Sequence, residues 1–409
     1  MPMFGATIFI MMHHCLLCLF VLFLTGIRVQ SQPASSPANA VDVLSKTKEK
    51  LDRLSVVRYR QTRETKYYGD NYYSLFSAEL FIQRIKNSPI GWRLQASEGN
   101  TLFIYDGQQT IRLKRDAMTI DSASAKNARQ LEGNSYLSHS LINLGYFLPL
   151  VIGDDSTQKS ISDTLIGGQS LYCVKMERPN RYYDGFYSMQ PINLRNLRRP
   201  YYLLIDKKTY LPYQFITRYI RGNDDRDYIT VTFDDLNMAP ALPADSSWAY
   251  ISYRDKYQPF KPKEKKPVIK TGVIIGDFTL PDYRPAAIDS ASLHQYTGKV
   301  VLLDFWFKSC GPCMAAMPHY NTLQNKYGKD GFQLLTINVE DGEEDMKFFY
   351  NKYQPAYKML FKGNVLFEKL GLSACPSSVL LDRSGKVTEV FAGFDEPVIS
   401  RKIGELLAQ

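Results

Sequence analysis

Cysteine is scarce in this chain: six residues among 409, far too few for a small disulfide-stapled scaffold. Long apolar runs are scarcer. Residues 15–26 (CLLCLFVLFLTG) form one, short of the roughly 18–20 residues needed to cross a bilayer, and no run of that length follows. A polytopic membrane protein is thereby excluded. With 44% hydrophobic and 22% charged residues, the composition also excludes a disordered chain. No internal repeat of about 20–50 residues is evident. His139, His294 and His319 show neither metal-ligand nor triad spacing.

The run at 15–26 has the size of the apolar core of a secretory signal peptide. Val29-Gln30-Ser31 offers small or modest residues where a signal peptidase inspects, so cleavage after Ser31 is expected and residues 1–31 are assigned to the signal. No Lys or Arg precedes the run, only His13 and His14; a start at Met11 or Met12 and a retained short anchor are the alternatives. Cys18, which follows Leu17 inside the run, is unsuited to lipoprotein attachment. The expected location is therefore periplasmic or cell-envelope, with peripheral membrane contact at most. The exported chain keeps Cys173, Cys310, Cys313 and Cys375 in a compartment where disulfides persist.

Residues 258–270 (QPFKPKEKKPVIK) combine three prolines with a lysine cluster and lack apolar periodicity, as a linker does. They divide the chain into parts at 32–257 and 271–409. The charge divides unevenly as well. From Thr271 onward there are 14 Lys+Arg against 16 Asp+Glu, which leaves 36 against 25 for everything before it. The formal charge of +9 thus belongs to the first part and the linker, and bears on docking partners rather than on chemistry in the second.

The first part is expected to be mainly antiparallel β with an opening helix. Val41, Leu44, Leu51 and Leu54 make an apolar stripe on an otherwise charged helix. Strand-like segments rich in Tyr, Phe, Ile, Val and Thr follow, joined by short turns such as Asp106-Gly107. Residues 141–152 are expected as a short helix covering one face of the sheet. The segments RYRQTRE, FIYDGQQTIRL and LLIDKKTYLPYQFITRY, after an opening helix, resemble the lipoprotein-sorting LolA/LolB-like family. That resemblance implies a half-barrel enclosing an apolar cavity able to take an apolar ligand; the alternative is a β region filled by its own side chains. Residues 178–202 interleave arginines with tyrosines, but in an exported protein a long polar loop is expected there and no nucleic acid.

The second part carries the chemistry. Residues 299–318 read KVVLLDFWFKSCGPCMAAMP: an apolar run interrupted only by Asp304, as in a strand buried on both faces, and then CGPC opening a helix. Further on come FQLLTINVE as a second buried strand, GEEDMKFFYNKY as a helix, a hairpin around Ser384-Gly385 and a closing helix in EPVISRKIGELLA. This is an α/β thioredoxin-like arrangement. A cysteine at a helix N-terminus faces unsatisfied N–H groups and the positive end of the dipole, which favours thiolate. Cys310 is thus the expected nucleophile and Cys313, one turn along, the resolving thiol. Pro312 suits the first helical turn, where its missing N–H costs nothing.

GDFTLPDY, GKVVLLDFW, the CGPC helix with Pro318, and ACPSSVLLD, in that order, resemble the thioredoxin family and most closely its TlpA/ResA-like branch. The resemblance implies an exported thiol–disulfide oxidoreductase with no cofactor. Its partners would be disulfide-containing protein substrates and an unidentified thiol electron donor. It also implies that Pro376 is a cis proline facing the dithiol, that Asp304 is the buried acid exchanging protons with Cys313, and that Trp306, Gly311, Pro312, Cys375 and Pro376 contact substrate. Three departures stand out: Ser309 replaces the usual Trp before CGPC, Met314-Ala315-Ala316-Met317 replaces residues that are often charged, and Cys375 precedes the proline in place of Thr, Val or Ile.

Zinc normally needs four ligands, and only Cys375 and His319 offer themselves beside the CxxC. Cys375 is a small packed residue or a third thiol. Asp304 is an inward acid satisfied by hydrogen bonds or a working one. For the whole chain, the alternative to an oxidoreductase is an apolar-ligand carrier with an accessory redox module.

Overall fold

The computed structural model describes residues 39–409 except 185, 187, 193–195, 262–265 and 286. The signal segment with its cleavage position, Cys15 and Cys18, and the centre of the lysine-rich stretch lie outside the described residues.

Helix α1 (Ala40–Asp52) starts at Asn39, whose side chain accepts the Val41 N–H at 2.9 Å. Its buried stripe is Ala40, Val43, Leu44, Thr47 and Leu51, while Val41 is only half-buried. Spacings of three and four place Thr47 on the face shared by Val43 and Leu44, and Leu51 one turn beyond it. Strands β1 (Val56–Tyr67), β2 (Tyr72–Arg84), β3 (Trp92–Glu98), β4 (Thr101–Tyr105), β5 (Gln109–Lys114) and β6 (Thr119–Ser124) form an antiparallel meander. On β1, Val57, Tyr59 and Gln61 alternate inward, the period of a sheet with one face on the core. Helix α2 (Leu141–Ile152) begins at Ser140, which caps Asn143 N–H.

The sheet then gains β7 (Gln158–Ile166) and β8 (Gln169–Glu177). A separate ribbon joins β9 (Arg181–Asp184) to β10 (Ser188–Pro191), and β11 (Leu197–Arg198) precedes β12 (Tyr201–Asp206), β13 (Pro212–Arg221) and β14 (Asp224–Asn237). The order across the large sheet is β15-β6-β5-β4-β3-β2-β1-β14-β13-β12-β8-β7, with β11 on β13. Here β15 (Gln258–Pro259) pairs parallel to β6, and every other pair is antiparallel. One face packs against α1 and α2 around Phe147, whose ring meets Tyr183, Tyr201 and Phe215 at 5.0, 5.3 and 5.2 Å. The other face is covered in part by Trp248 and Tyr257 over Phe81 and Ile104.

The seven-stranded second sheet has the order β17-β16-β20-β19-β18-β21-β22. Its strands are β16 (Thr279–Asp282), β17 (Asp289–Ser292), β18 (Val300–Trp306), β19 (Phe332–Asn338), β20 (Lys358–Leu360), β21 (Ser377–Leu381) and β22 (Val387–Ala392). Strands β18, β19 and β20 are parallel; β21 runs antiparallel beside β18, and β22 antiparallel beside β21. Helices α3 (Gly311–Tyr327), α4 (Glu343–Tyr353), α5 (Asn364–Lys369) and α6 (Glu396–Leu407) complete the thioredoxin-like arrangement. Every residue of β18 is buried, as its unbroken apolar run requires. The sequence did not announce β20 and α5, because three and six residues are too few to show a period. At the sheet's other side, the buried Asp282 carboxylate is met by Arg284 at 3.0 Å and Lys358 at 2.8 Å, tying β16 to β20.

Residues 258–270 are held at both ends: the Gln258 and Phe260 N–H groups donate to the Met118 and Ile120 carbonyls, and Ile269 N–H donates to Leu370. The two sheets keep separate apolar cores within one compact unit spanning Asn39–Gln409.

Truncating Phe147 to alanine is expected to cost about 3–5 kcal/mol, because a fully packed ring leaves a cavity that its neighbours cannot close. Urea unfolding checks this; a loss below about 1 kcal/mol would show that the site is not a tightly packed core.

Candidate functional site

Strand β18 ends at Trp306, and after three residues the chain re-enters regular structure at α3 with Cys310 as its N-cap. The Cys310 sulfur accepts the Cys313 N–H at 3.2 Å, and the Cys310 carbonyl accepts from Met314 at 3.0 Å. Cys310 and Cys313 form a disulfide. Cys310 is 5% exposed and Cys313 is wholly buried, whereas Gly311 and Pro312 stand at the surface. Of the two sulfurs, Cys310 lies nearer to solvent and receives a backbone N–H at the positive end of a helix. That placement stabilises a thiolate once the pair is reduced.

Asp304 lies in the middle of β18, completely buried. Its two oxygens accept from Tyr320 on α3 and from Ser378 on β21, both at 2.5 Å. Ser378 is its direct cross-strand neighbour. Burial pushes the carboxyl from 3.8 up to about 6, although the two hydroxyl donors pull the other way. The acid is therefore inward and satisfied by hydrogen bonds, with its carboxyl raised towards neutrality by burial.

The Cys375–Pro376 peptide bond is cis. The Pro376 carbonyl accepts the Gly393 N–H at 2.8 Å, and proline has no N–H to offer. Cys375 is half-buried and packs against the apolar cluster that holds Cys310 and Cys313. Its thiol is pushed up to about 12, first by burial and then by the Asp304 and Glu340 charges. This describes a packed, protonated thiol. Cys173 on β8 is also free, and burial raises its thiol too.

Trp306, expected among the substrate contacts, needs correction. Both faces of β18 are covered, so the indole is fully buried and meets Phe349 edge-on at 5.1 Å, out of a substrate's reach. Pro312 instead borders an open groove of about 510 Å³, whose other walls include Ala315, Ala316, His319, Phe394 and Glu396. His319 Nδ1 lies 3.0 Å from Glu396 across it. Sequence reasoning did not single out Phe394, Tyr320 or Ser378. Tyr320 and Ser378 reach Asp304 from α3 and β21, and Phe394 lines the groove beside Pro312 from the segment after β22.

Among the described residues, no group of three or more His, Cys, Asp or Glu is placed to hold a metal ion. No helix among them is long and apolar enough to cross a membrane.

The Redoxin family matches residues 271–405. The chain is similar to thiol–disulfide oxidoreductase ResA from Bacillus thuringiensis (strain Al Hakam): 30% identical over 135 residues, 33% of this chain and 75% of the relative. ResA from Geobacillus thermodenitrificans (strain NG80-2) is 29% identical over 127 residues, 30% of this chain and 72% of the relative. Among solved structures, the pneumococcal exposed lipoprotein thioredoxin (Etrx1) from Streptococcus pneumoniae strain TIGR4 is 28% identical. That match has a TM-score of 0.29 and covers 32% of this chain and 100% of that one.

Because burial raises Asp304 above its unfolded value, the fold favours the protonated carboxyl. Its contribution to stability is full below about pH 4 and is lost as pH rises through about 6, a change on the order of 3 kcal/mol. Asp304→Asn should remove this component, so that the urea midpoints of variant and wild type diverge as pH rises across that window. Parallel curves would show that Asp304 does not titrate there.

Proposed function

The chain belongs, through its C-terminal part, to the ResA-like thiol–disulfide oxidoreductases of the thioredoxin family, and on that premise we propose that it reduces disulfides in exported proteins. It is a thiol–disulfide oxidoreductase. The observation that carries the finer reading is the Cys310–Cys313 pair at the N-terminus of α3, with the more accessible sulfur as the N-cap.

In the reduced form, the Cys310 thiolate attacks one sulfur of a substrate disulfide. A mixed disulfide forms, and the first substrate thiolate leaves. Cys313 then attacks the Cys310 sulfur, the second substrate thiolate leaves, and the Cys310–Cys313 disulfide closes. Two electrons have passed to the substrate, and a thiol donor must return them. Asp304, buried and titrating at about 6, takes the Cys313 proton as the thiolate forms. The Cys375 thiol, held protonated, stays outside the exchange. Substrate lies along the groove beside Pro312; with the Pro376 carbonyl already engaged, the backbone of Cys375 is the better partner for its strand.

Reduction is preferred to oxidation because Gly311-Pro312 is the dipeptide of reducing thioredoxins. Export to the periplasm or cell envelope is supported by the apolar run at 15–26. One observation favours a carrier role for the β region: a cavity of about 250 Å³ between α1, α2 and the sheet, lined in part by Leu51, Leu54, Ile82 and Trp92. Ligand pockets usually run from about 300 to 1,000 Å³, and Lys48, Asp52 and Arg84 also border this one. Its size and charge make the redox reading primary.

With dithiothreitol as donor, the protein should reduce a protein disulfide, and Cys310→Ser should abolish the activity. Cys313→Ser should accumulate a mixed disulfide, visible as a mass adduct that thiols remove. Full activity in Cys310→Ser would sink the assignment. The reduction potential of the pair decides direction: a value near that of thioredoxin, about −270 mV, fits a reductant, and one near about −120 mV fits an oxidant.

A further inference from the structure

The tip of the β1–β2 hairpin touches the thioredoxin-like part. Tyr68–Asp70 make one 3₁₀ turn, and Asn71 follows in the left-handed region (φ 48°), a conformation asparagine tolerates. Asn71 Nδ2 donates to Asp345 on α4 at 2.9 Å, and Lys352 on the same helix donates to the Gly69 carbonyl. Both Asp345 oxygens also accept from Lys308 Nζ at 2.9 Å. Lys308 stands two residues before Cys310, and its own N–H donates to Asp341 at 2.6 Å. A continuous chain of hydrogen bonds thus runs from the hairpin tip through α4 to the loop that presents the dithiol.

Beside this joint lies an open groove of about 760 Å³. Its walls carry Tyr68, Tyr72 and Tyr73 from the hairpin and Phe348 from α4. Tyr68 and Tyr73 are 40% and 55% exposed, and Leu75, next on the same strand, is 62% exposed. Contiguous exposed apolar surface of this kind marks interaction sites. Cations stand over the rings: Lys66 Nζ lies 4.6 Å from the Tyr68 centroid and 5.9 Å from that of Tyr73, and Arg226 lies 5.3 Å from Tyr68. Lys352 adds a third positive charge to the wall. The acids here are spoken for. Arg226 binds Asp224 bidentately at 2.9 and 2.8 Å, and Lys352 lies 3.5 Å from Asp70. The basic surplus of the region before Thr271, 36 against 25, has the same sign.

We infer that this groove docks an extended acidic segment with aromatic or aliphatic side chains, belonging to the protein whose disulfide is reduced at Cys310. The inference rests on the redox reading above. Aromatic walls take the apolar side chains, and Lys66, which stands over the Tyr68 and Tyr73 rings and makes no ion pair with an acid of the described residues, takes a carboxylate. The hydrogen-bonded joint makes a polypeptide the fitting occupant, because it sets the groove beside the loop where protein disulfides react.

The test uses the full chain with dithiothreitol as donor and three substrates. Two are peptides with one disulfide loop, flanked either by alternating Asp and Phe or by Ser and Gly; the third is oxidised glutathione. The wild type should show about tenfold higher kcat/KM for the acidic-aromatic peptide, through KM, which is about 1.4 kcal/mol of docking. Lys66→Glu and Tyr73→Ser should erase that preference while leaving glutathione reduction unchanged. Equal kcat/KM for the two peptides, or a preference that survives both variants, overturns the groove while glutathione turnover still upholds the redox reading. Failure to reduce any of the three overturns the redox reading itself. Oligosaccharide binding that Tyr73→Ser abolishes while the peptide preference persists would assign the groove to carbohydrate and overturn the inference.

Discussion

Strand β18 is buried from end to end, with β19 on one side and β21 on the other. A strand enclosed in this way cannot end inside the core without stranding its backbone groups. Its chain must emerge and hand over to an element that supplies its own hydrogen bonds. Helix α3 does so immediately, and the residue at the handover is Cys310. The sulfur therefore sits where backbone N–H groups are unsatisfied and where the apolar core stops shielding it. Cys313, one turn deeper, is sealed. The difference in exposure between the two cysteines follows from where a buried strand meets a helix.

The same enclosure explains Asp304. A carboxylate in the middle of such a strand is expensive unless its lone pairs are met. Tyr320 and Ser378 meet them, from a helix and from a neighbouring strand. They lower the cost without abolishing it, which leaves the acid titrating near neutrality, between its ordinary value and that of an unsatisfied buried carboxyl. Enclosure also removes Trp306 from the surface and raises the thiol of Cys375 beyond the reach of physiological pH. One constraint thus sorts five neighbouring residues: Cys310 at the rim, Cys313 sealed beneath it, Asp304 in the wall, and Trp306 and Cys375 packed into the core around them.

The large β region meets this machinery at one joint. Asp345 accepts from the hairpin tip and from Lys308 at the same time, so the loop before Cys310 and the tip share a carboxylate. A partly buried, multiply bonded acid holds geometry better than an isolated surface ion pair, which contributes little. The aromatic and basic groove lies against this joint, where the basic excess of the first region can act on a reaction carried out by the second.

Much of the site was legible before any tertiary contact. A continuous apolar run with one acid, followed by CGPC and a helix, identifies a buried strand, a helix N-terminus and a dithiol, because those are local facts of periodicity and spacing. The antiparallel meander and the short helix at 141–152 follow from the same local patterns. What the chain cannot write locally is which distant residues close around those motifs. Only the cross-strand register brings Ser378 to Asp304, only the turn of α3 brings Tyr320 there, and only the packing of both faces of β18 hides Trp306. The stripe on α1 shifted from Val41 to Val43 because the face that is buried is decided by what covers it. The joint between hairpin tip and α4 links residues more than two hundred and seventy positions apart. The sequence by itself determined the reactive pair and its helix; the tertiary structure decided which sulfur is reachable, how the acid titrates and what surface lies beside them.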